Sequence, residues 1–178
     1  MAVLRVLPLP FWEASVPAVD DALPEIYVLP GESHLVAQPA VIRTVLGSCV
    51  GVTIWAPRIG VSALCHPMLP SVPREGRIEA SQGRRYVDYA IRELGRRFDA
   101  LGALRGEVEV KLFGGADVLV VSANDSRPTI GRMNSEVALE VLRAEGFTVA
   151  ASSLGGDCGV HISFNTSTGE VRLRRLCL

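Results

Sequence analysis

Short runs of alternating or clustered apolar residues fill the middle of the chain, and this pattern predicts β-strands separated by tight turns. Residues 41–46 and 50–55 are two such runs with three residues between them, and residues 61–65 form a third after a proline–glycine turn. The same pattern predicts four further strands, at residues 108–113, 147–152, 161–164 and 170–176. The last two are expected to form a closing hairpin.

Two segments follow the helical period instead. In residues 84–101 apolar side chains recur four positions apart, and Gly102 is placed to end the helix. This apolar stripe contains Tyr86, Ala90, Leu94 and Phe98, with Val87 and Ile91 beside it. A second helix is predicted over residues 134–144, with Asn134 as its N-cap and Gly146 at its C-terminal end.

Strands combined with two amphipathic helices predict an α/β fold, or an α+β fold: a single layered domain with a mixed β-sheet flanked by two main helices. Residues 118–121 fit either a short strand or a short helix. Residues 1–30 differ from the rest, because their five prolines prevent a long helix. We therefore expect a proline-rich N-terminal arm over residues 1–30 and the folded domain over residues 31–178.

The composition is typical of one soluble globular domain: 178 residues, of which 48% are hydrophobic and 21% charged. A net charge of −1 provides no overall basic surface, so nucleic acid is not an expected partner. The apolar N-terminus is broken by Pro8 and Pro10, and no apolar run reaches the ~20 residues of a membrane helix. We expect a cytoplasmic protein without membrane insertion. Its four cysteines include no CxxC pair and are expected to be reduced thiols.

The densest candidate for chemistry is a cysteine in a glycine-containing turn. Cys49 follows Gly47 and Ser48, and glycine allows a sharp turn whose backbone N–H groups can face a developing oxyanion. His66 comes 17 residues later, a spacing that suits a strand, a turn and a returning strand. A thiol needs a base to become a nucleophile, which His66 can supply. The alternative is that Cys49 is a small buried apolar residue and His66 a loop histidine with satisfied hydrogen bonds.

Zinc binding and phosphate binding fit the sequence less well. Cys158 and His161 have a spacing found in metal sites, but Cys65 and His66 are neighbours in a strand and point to opposite faces. No complete ligand set is present, so no metal site is predicted. The glycine pair within residues 114–117 lacks the lysine of a phosphate-binding loop, which favours a tight turn.

Five groups of residues along the chain together resemble a known family. They are Leu46-Gly47-Ser48-Cys49-Val50, His66-Pro67-Met68-Leu69-Pro70, Lys111-Leu112-Phe113-Gly114-Gly115-Ala116, Ile130-Gly131-Arg132-Met133-Asn134, and Gly155-Gly156 with Phe164 and Thr168-Gly169-Glu170-Val171. Their combination and order, over residues 30–176, resemble the CheD chemoreceptor glutamine deamidases.

The resemblance implies hydrolysis of the side-chain amide of selected glutamines on methyl-accepting chemotaxis receptors, giving glutamate and ammonia. It implies Cys49 as the nucleophile and His66 as the general base and acid, with no metal or organic cofactor. The implied fold is a layered α/β domain related to bacterial toxin deamidases. The implied partners are the receptors, as substrates, and a CheC-like phosphatase.

One position departs from the family pattern. The resemblance implies a histidine-orienting threonine six residues before the cysteine, whereas this chain has Arg43 there and Thr44 one residue later. Neighbouring strand residues face opposite sides, so Thr44 is expected to orient His66 only if a bulge or local twist turns it toward the imidazole. The departure raises an alternative function, a catalytically weak or inactive binding module that regulates a CheC-like phosphatase or a chemoreceptor.

Overall fold

The structure is a computed structural model that describes residues 23–73, 78–117 and 128–177. Residues 1–22 of the predicted arm and the element expected at 118–121 lie outside the described residues. The strands are β1 (Glu25–Tyr27), β2 (Ser33–Val36), β3 (Val41–Leu46), β4 (Val50–Ala56), β5 (Val61–Cys65), β6 (Glu109–Gly114), β7 (Val149–Leu154), β8 (Gly159–Asn165) and β9 (Val171–Leu176). The helices are α1 (Ala80–Gly83), α2 (Val87–Ala100) and α3 (Ile130–Ala144), with 3-10 turns at Pro57–Ile59 and Arg105–Glu107.

The strands form two mixed sheets. The four-stranded sheet has the order β1-β3-β8-β9, in which β1 is parallel to β3 and the other pairs are antiparallel. The five-stranded sheet has the order β2-β5-β4-β6-β7, in which β7 runs parallel to β6. The predicted layered domain of strands and two main helices is confirmed. It has two sheets rather than one, because the short turn after β3 passes the chain to the other sheet instead of closing a hairpin.

Two apolar cores hold the helices and the two sheets together in layers. One core lies between the helices and the five-stranded sheet, and the other lies between the two sheets. The first contains Val50, Val52, Ile54, Ile91, Leu94, Val110 and Leu142 among others. The second contains Val28, Ile42, Leu46, Leu64, Phe113, Val160, Ile162 and Phe164. The five-stranded sheet is therefore the middle layer, which explains why β4 and β5 are apolar on both faces.

Both main helices begin at a different residue from the predicted one. Helix α2 begins at Val87 rather than at residue 84, because Tyr86 is extended and pairs with Leu69. Helix α3 begins at Ile130, where the Thr129 side chain accepts a hydrogen bond from the Arg132 N–H as the N-cap. The predicted N-cap role of Asn134 is therefore wrong. None of the described helices is long and apolar enough to cross a membrane.

The described sheet begins inside the predicted arm. Strand β1 pairs with β3 through the register Ile26–Ile42, and Val28 just beyond it is completely buried between the sheets. Strand β2, which the apolar pattern does not predict, pairs with β5 at the edge of the five-stranded sheet. The division at residue 30 between arm and domain stays a prediction.

The cysteines are not all reduced thiols. Cys158 and Cys177 form a disulfide, whereas Cys49 and Cys65 are free. The antiparallel register of β8 and β9 pairs Gly159 with Leu176, so the two cysteines are the next facing positions along the ladder. The prediction of reduced thiols is wrong for this pair, because the facing positions come from strand pairing and not from a short sequence motif.

Candidate active site

Cys49 and His66 lie at the same end of the middle sheet. Cys49 ends the turn before β4, and His66 directly follows β5, the antiparallel neighbour of β4. The Val50 N–H donates a hydrogen bond to the Pro67 carbonyl at 3.3 Å. Cys49 immediately precedes Val50, and His66 immediately precedes Pro67. The returning strand therefore brings the backbones of the two predicted site residues together, as the spacing predicts.

The alternation of β5 directs the imidazole between the two sheets. Leu64 packs in the core between the sheets, and Cys65 packs toward the helices. His66 comes next, is 2% exposed, and reaches Thr44 on the four-stranded sheet. Thr44 is itself completely buried, because it shares the inner face of β3 with Leu46.

The hydrogen bonds of Thr44 fix the tautomer of the neutral imidazole. The Thr44 Oγ1 atom lies 2.7 Å from the Val28 carbonyl oxygen and 2.8 Å from His66 Nδ1. A carbonyl oxygen only accepts, so the Thr44 hydroxyl donates to Val28 and its oxygen accepts from His66 Nδ1–H. The proton of the neutral ring is then on Nδ1, which leaves the lone pair of a base on Nε2.

Arg43 faces the other side of the sheet. Its Nη2 atom lies 2.6 Å from a Glu25 carboxylate oxygen on the neighbouring strand. The pairing of β3 with β8 is continuous from Val41 to Leu46, without a bulge. The expectation that Thr44 needs a bulge or a local twist is therefore wrong, because the ordinary alternation of β3 already points it inward.

Burial favours the neutral forms of both candidate groups. It lowers the pKa of His66 below the ordinary histidine value, although the Val28 carbonyl and the Glu32 carboxylate act in the opposite direction. Burial also raises the pKa of the Cys49 thiol above its ordinary value, against a smaller opposing effect of its own backbone N–H. Near neutral pH the pair is a protonated thiol and an uncharged imidazole. Among the described residues, the structure shows no hydrogen bond between Cys49 Sγ and His66.

The carbonyl oxygens of residues 47–49, the cysteine turn, all accept hydrogen bonds. Gly47 accepts a hydrogen bond from the Ala116 N–H at 2.9 Å, and Cys49 accepts one from the Gly115 N–H at 2.8 Å. The Ser48 carbonyl accepts from the side-chain amide of Asn134 at 2.9 Å. In a trans peptide the N–H points away from the preceding carbonyl, so the Ser48 and Cys49 N–H groups are directed away from these partners. This orientation suits donors to an oxyanion.

Glycines at the end of β6 and the start of α3 permit this close packing. A Cβ on Gly114 would lie 2.3 Å from the Cys49 carbonyl oxygen, and the φ of Gly114 is 95°. A Cβ on Gly131 would lie 2.6 Å from the carbonyl oxygens of Gly115 and Ala116. The backbone of α3 therefore lies directly against the loop that holds the cysteine turn.

The contact of Asn134 with the cysteine turn is not predicted by the sequence. The sequence predicts a helix cap at this position, but Asn134 is completely buried one turn inside α3 and contacts the cysteine turn. Its place in the motif over residues 130–134 was a signal of importance. The partner of its amide depends on a contact 86 positions away in the sequence, which no local pattern reveals.

The groups considered for zinc are engaged elsewhere. Cys158 is bonded to Cys177, and burial raises the pKa of the Cys65 thiol to about 12. Cys65 and His66 do point to opposite sides of the sheet, as expected from strand alternation. Within the part of the chain that the structure describes, no three His, Cys, Asp or Glu residues are grouped so that they could hold a metal ion.

The fold and the site define a class of protein: a layered α+β domain with a free thiol in a tight turn, beside a buried imidazole oriented by a threonine hydroxyl. The family profile described as CheD chemotactic sensory transduction matches residues 68–175. The chain is 44% identical over 154 residues to the "Probable chemoreceptor glutamine deamidase CheD 2" of Geobacter sulfurreducens, covering 86% of this chain and 91% of that protein. The chain belongs to the CheD family.

A second sequence relative agrees with this family assignment, whereas the similarity to a solved structure is weak. The "Probable chemoreceptor glutamine deamidase CheD" of Maridesulfovibrio salexigens is 36% identical over 157 residues, which cover 85% of this chain and 91% of that protein. The solved structure of the Bacillus licheniformis hypothetical protein YfiH has a TM-score of 0.46 and 10% identity, over 68% of this chain and 50% of that chain.

Proposed function

We propose that the protein hydrolyses the side-chain amide of glutamine residues on methyl-accepting chemotaxis receptors, giving glutamate and ammonia. The observation that carries the proposal is the 2.8 Å hydrogen bond between Thr44 and His66, which orients a buried, uncharged imidazole next to the Cys49 turn. The names of the CheD relatives, which read probable chemoreceptor glutamine deamidase, support the same substrate.

In the first half of the reaction, Cys49 Sγ attacks the amide carbon of the glutamine. His66 Nε2 takes the thiol proton as the sulfur–carbon bond forms, because the thiol is protonated before attack. The carbonyl π electrons move to oxygen, and the N–H groups of Ser48 and Cys49 stabilise this oxyanion. His66 then returns the proton to the amide nitrogen, the carbon–nitrogen bond breaks, and ammonia leaves a thioester on Cys49.

In the second half, water replaces ammonia. His66 Nε2 removes a proton from water as the water oxygen bonds to the thioester carbon. The tetrahedral intermediate collapses, the carbon–sulfur bond breaks, and the imidazolium returns its proton to the Cys49 sulfur. The products are the side-chain carboxylic acid and the starting enzyme, and the acid then gives its proton to the released ammonia in solution, leaving glutamate and ammonium. Atoms and charge balance without a cofactor.

Two further expectations remain predictions. A CheC-like phosphatase as a partner is implied by the family resemblance, and a cytoplasmic location is an expectation from the sequence. The alternative function, a catalytically weak or inactive binding module, rests on Arg43 at the expected threonine position. Since Thr44 contacts His66 and Arg43 pairs with Glu25, this reason for expecting inactivity no longer applies.

The proposed activity is tested by incubating the protein with the purified cytoplasmic fragment of a chemotaxis receptor and mapping the products by mass spectrometry. Deamidation replaces an amide NH₂ by OH, so we expect a mass increase of about 1 Da at specific glutamines, with ammonia released in equal amount. Absence of any converted glutamine over several receptors, together with measurable binding to them, would instead establish the binding module.

Thr44→Val is expected to reduce kcat about 10- to 100-fold with little change in KM. Valine has a similar shape but leaves the His66 Nδ1–H and the Val28 carbonyl without their partner, which costs about 1–3 kcal/mol of folding free energy. The measurements are steady-state kinetics and urea unfolding. Thr44→Ser keeps the hydroxyl and is the matched control, expected to recover most of the activity. If Thr44→Ser is as slow as Thr44→Val, the hydroxyl is not what orients His66.

A further inference from the structure

We propose that Asn134 is a positioning residue for the deamidation, because one side-chain amide fixes both the peptide that carries the oxyanion donor and the loop that carries His66. The inference rests on the proposed function. It concerns a residue whose hydrogen bonds go to the backbone on either side of the reacting groups, at Ser48 and Met68.

The contacts of Asn134 connect two separate loops. Its Nδ2 atom donates one hydrogen bond to the Ser48 carbonyl and one to the Met68 carbonyl, each at 2.9 Å. Ser48 immediately precedes Cys49, and Met68 is two residues beyond His66. The side chain therefore joins the nucleophile turn to the histidine loop.

The chemistry of the two acceptors determines which way the amide points. Both are carbonyl oxygens, which only accept, so the two hydrogens of the amide nitrogen must face them. The Oδ1 atom then points elsewhere, and it is buried without a hydrogen-bond partner among the described residues. Both hydrogens of the amide nitrogen are therefore used to join the two loops.

The bond to Ser48 has a direct consequence for the oxyanion site. The Ser48 carbonyl and the Cys49 N–H belong to one planar peptide unit and point in opposite directions. Holding the carbonyl on the Asn134 side therefore directs the Cys49 N–H to the other side. This is one of the two N–H groups that, in the proposed mechanism, stabilise the oxyanion on the carbon attacked by Cys49.

The helix that carries Asn134 is itself firmly placed. Gly131, one turn earlier, allows the α3 backbone to contact Gly115 and Ala116, whose N–H groups bind the Cys49 and Gly47 carbonyls. Asn134 thus extends from a helix already packed against the cysteine turn. Its two hydrogen bonds therefore connect the position of this helix to the positions of the two reacting groups.

The first test compares Asn134→Ala with Val141→Ala in steady-state deamidation of a receptor fragment. Val141 is also buried on α3 but packs in the core beneath the middle sheet, so its truncation is a matched structural control. We expect Asn134→Ala to lower kcat about 100-fold with KM changed by no more than about 3-fold, because misplaced reacting groups slow the chemical step. Val141→Ala is expected to keep kcat within about 2-fold of the unmodified protein at a temperature well below its Tm. Equal losses of kcat in the two variants would overturn the proposal.

The second test needs no receptor, so it remains decisive even if no deamidation is found. The alkylation rate of Cys49 by iodoacetamide is followed by mass spectrometry in the unmodified protein, Asn134→Ala, His66→Asn and the double variant. We expect Asn134→Ala to slow alkylation about 10-fold when His66 is present, and less than about 2-fold when it is absent. An unchanged or faster rate in Asn134→Ala, or the same slowing in both backgrounds, would show that Asn134 does not act through the placement of Cys49 and His66.

Discussion

Replacing Cys49 by alanine is expected to lower glutamine deamidation by at least about 10⁴-fold, because it removes the group that forms the covalent intermediate. Its half-buried side chain contributes less to stability than a core residue, so the variant is expected to fold with a nearly unchanged Tm. Cys49→Ser is expected to be almost as inactive, since a hydroxyl at this position is far harder to deprotonate than a thiol. The measurement is conversion of receptor glutamines by mass spectrometry, with circular dichroism to confirm folding.

Cys65 supplies the matched control, because it is the other free cysteine in the described residues. It is completely buried, it packs toward the helices, and burial raises its pKa to about 12. Cys65→Ala is expected to lose stability, by about 1–2 kcal/mol, while keeping its activity. Substantial deamidation by Cys49→Ala, or its loss in a folded Cys65→Ala, would contradict the assignment of the nucleophile.

The second large effect is expected for His66→Asn, which should lower kcat about 10³-fold. The asparagine amide can still donate to the Thr44 hydroxyl, so the variant preserves much of the contact between the sheets while removing the base on Nε2. The measurement is kcat for the receptor fragment, compared with that of His161→Asn. His161 lies on β8, in the four-stranded sheet, and its replacement is expected to leave kcat within about 2-fold. Full activity in His66→Asn would exclude the imidazole as base.

The pH profile gives an independent signature of His66. Burial lowers its pKa, so the imidazole remains uncharged below the pH at which an exposed histidine takes up a proton. The rate is expected to stay constant as pH falls through about 6.5, and to decline only when the lower pKa of His66 is reached. His66→Asn should lose this acid limb. A limb centred above the ordinary histidine value would contradict a base that burial keeps neutral.

Local sequence patterns predict the parts of the site that lie within single elements. The runs on either side of residues 47–49 predict β3 and β4, and the spacing to His66 correctly predicts a returning strand. The direction of Thr44 was harder to predict. It depends on β3 pairing with β8 without a bulge, which places Thr44 inside and Arg43 outside, and that pairing spans more than a hundred residues.

Other features come from contacts between distant elements. The amide of Asn134 finds Ser48 only after α3 has packed against the glycines that follow β6. The division into two sheets arises because β3 pairs with β8 and not with β4, its neighbour in the sequence. Periodicity identifies a strand and its buried face, but it does not identify the partner strand.

The hydrogen bond between Thr44 and His66 crosses from one sheet to the other, so the proposed base is oriented only after the two sheets have packed together. A nascent or partly unfolded chain in which the layers have not docked contains the same cysteine and histidine, but its imidazole is hydrated and unoriented. Such a chain has no competent machinery for attacking an amide. Deamidation is therefore expected only from a chain whose two sheets have docked, and not from one that is still being folded or has been partly unfolded.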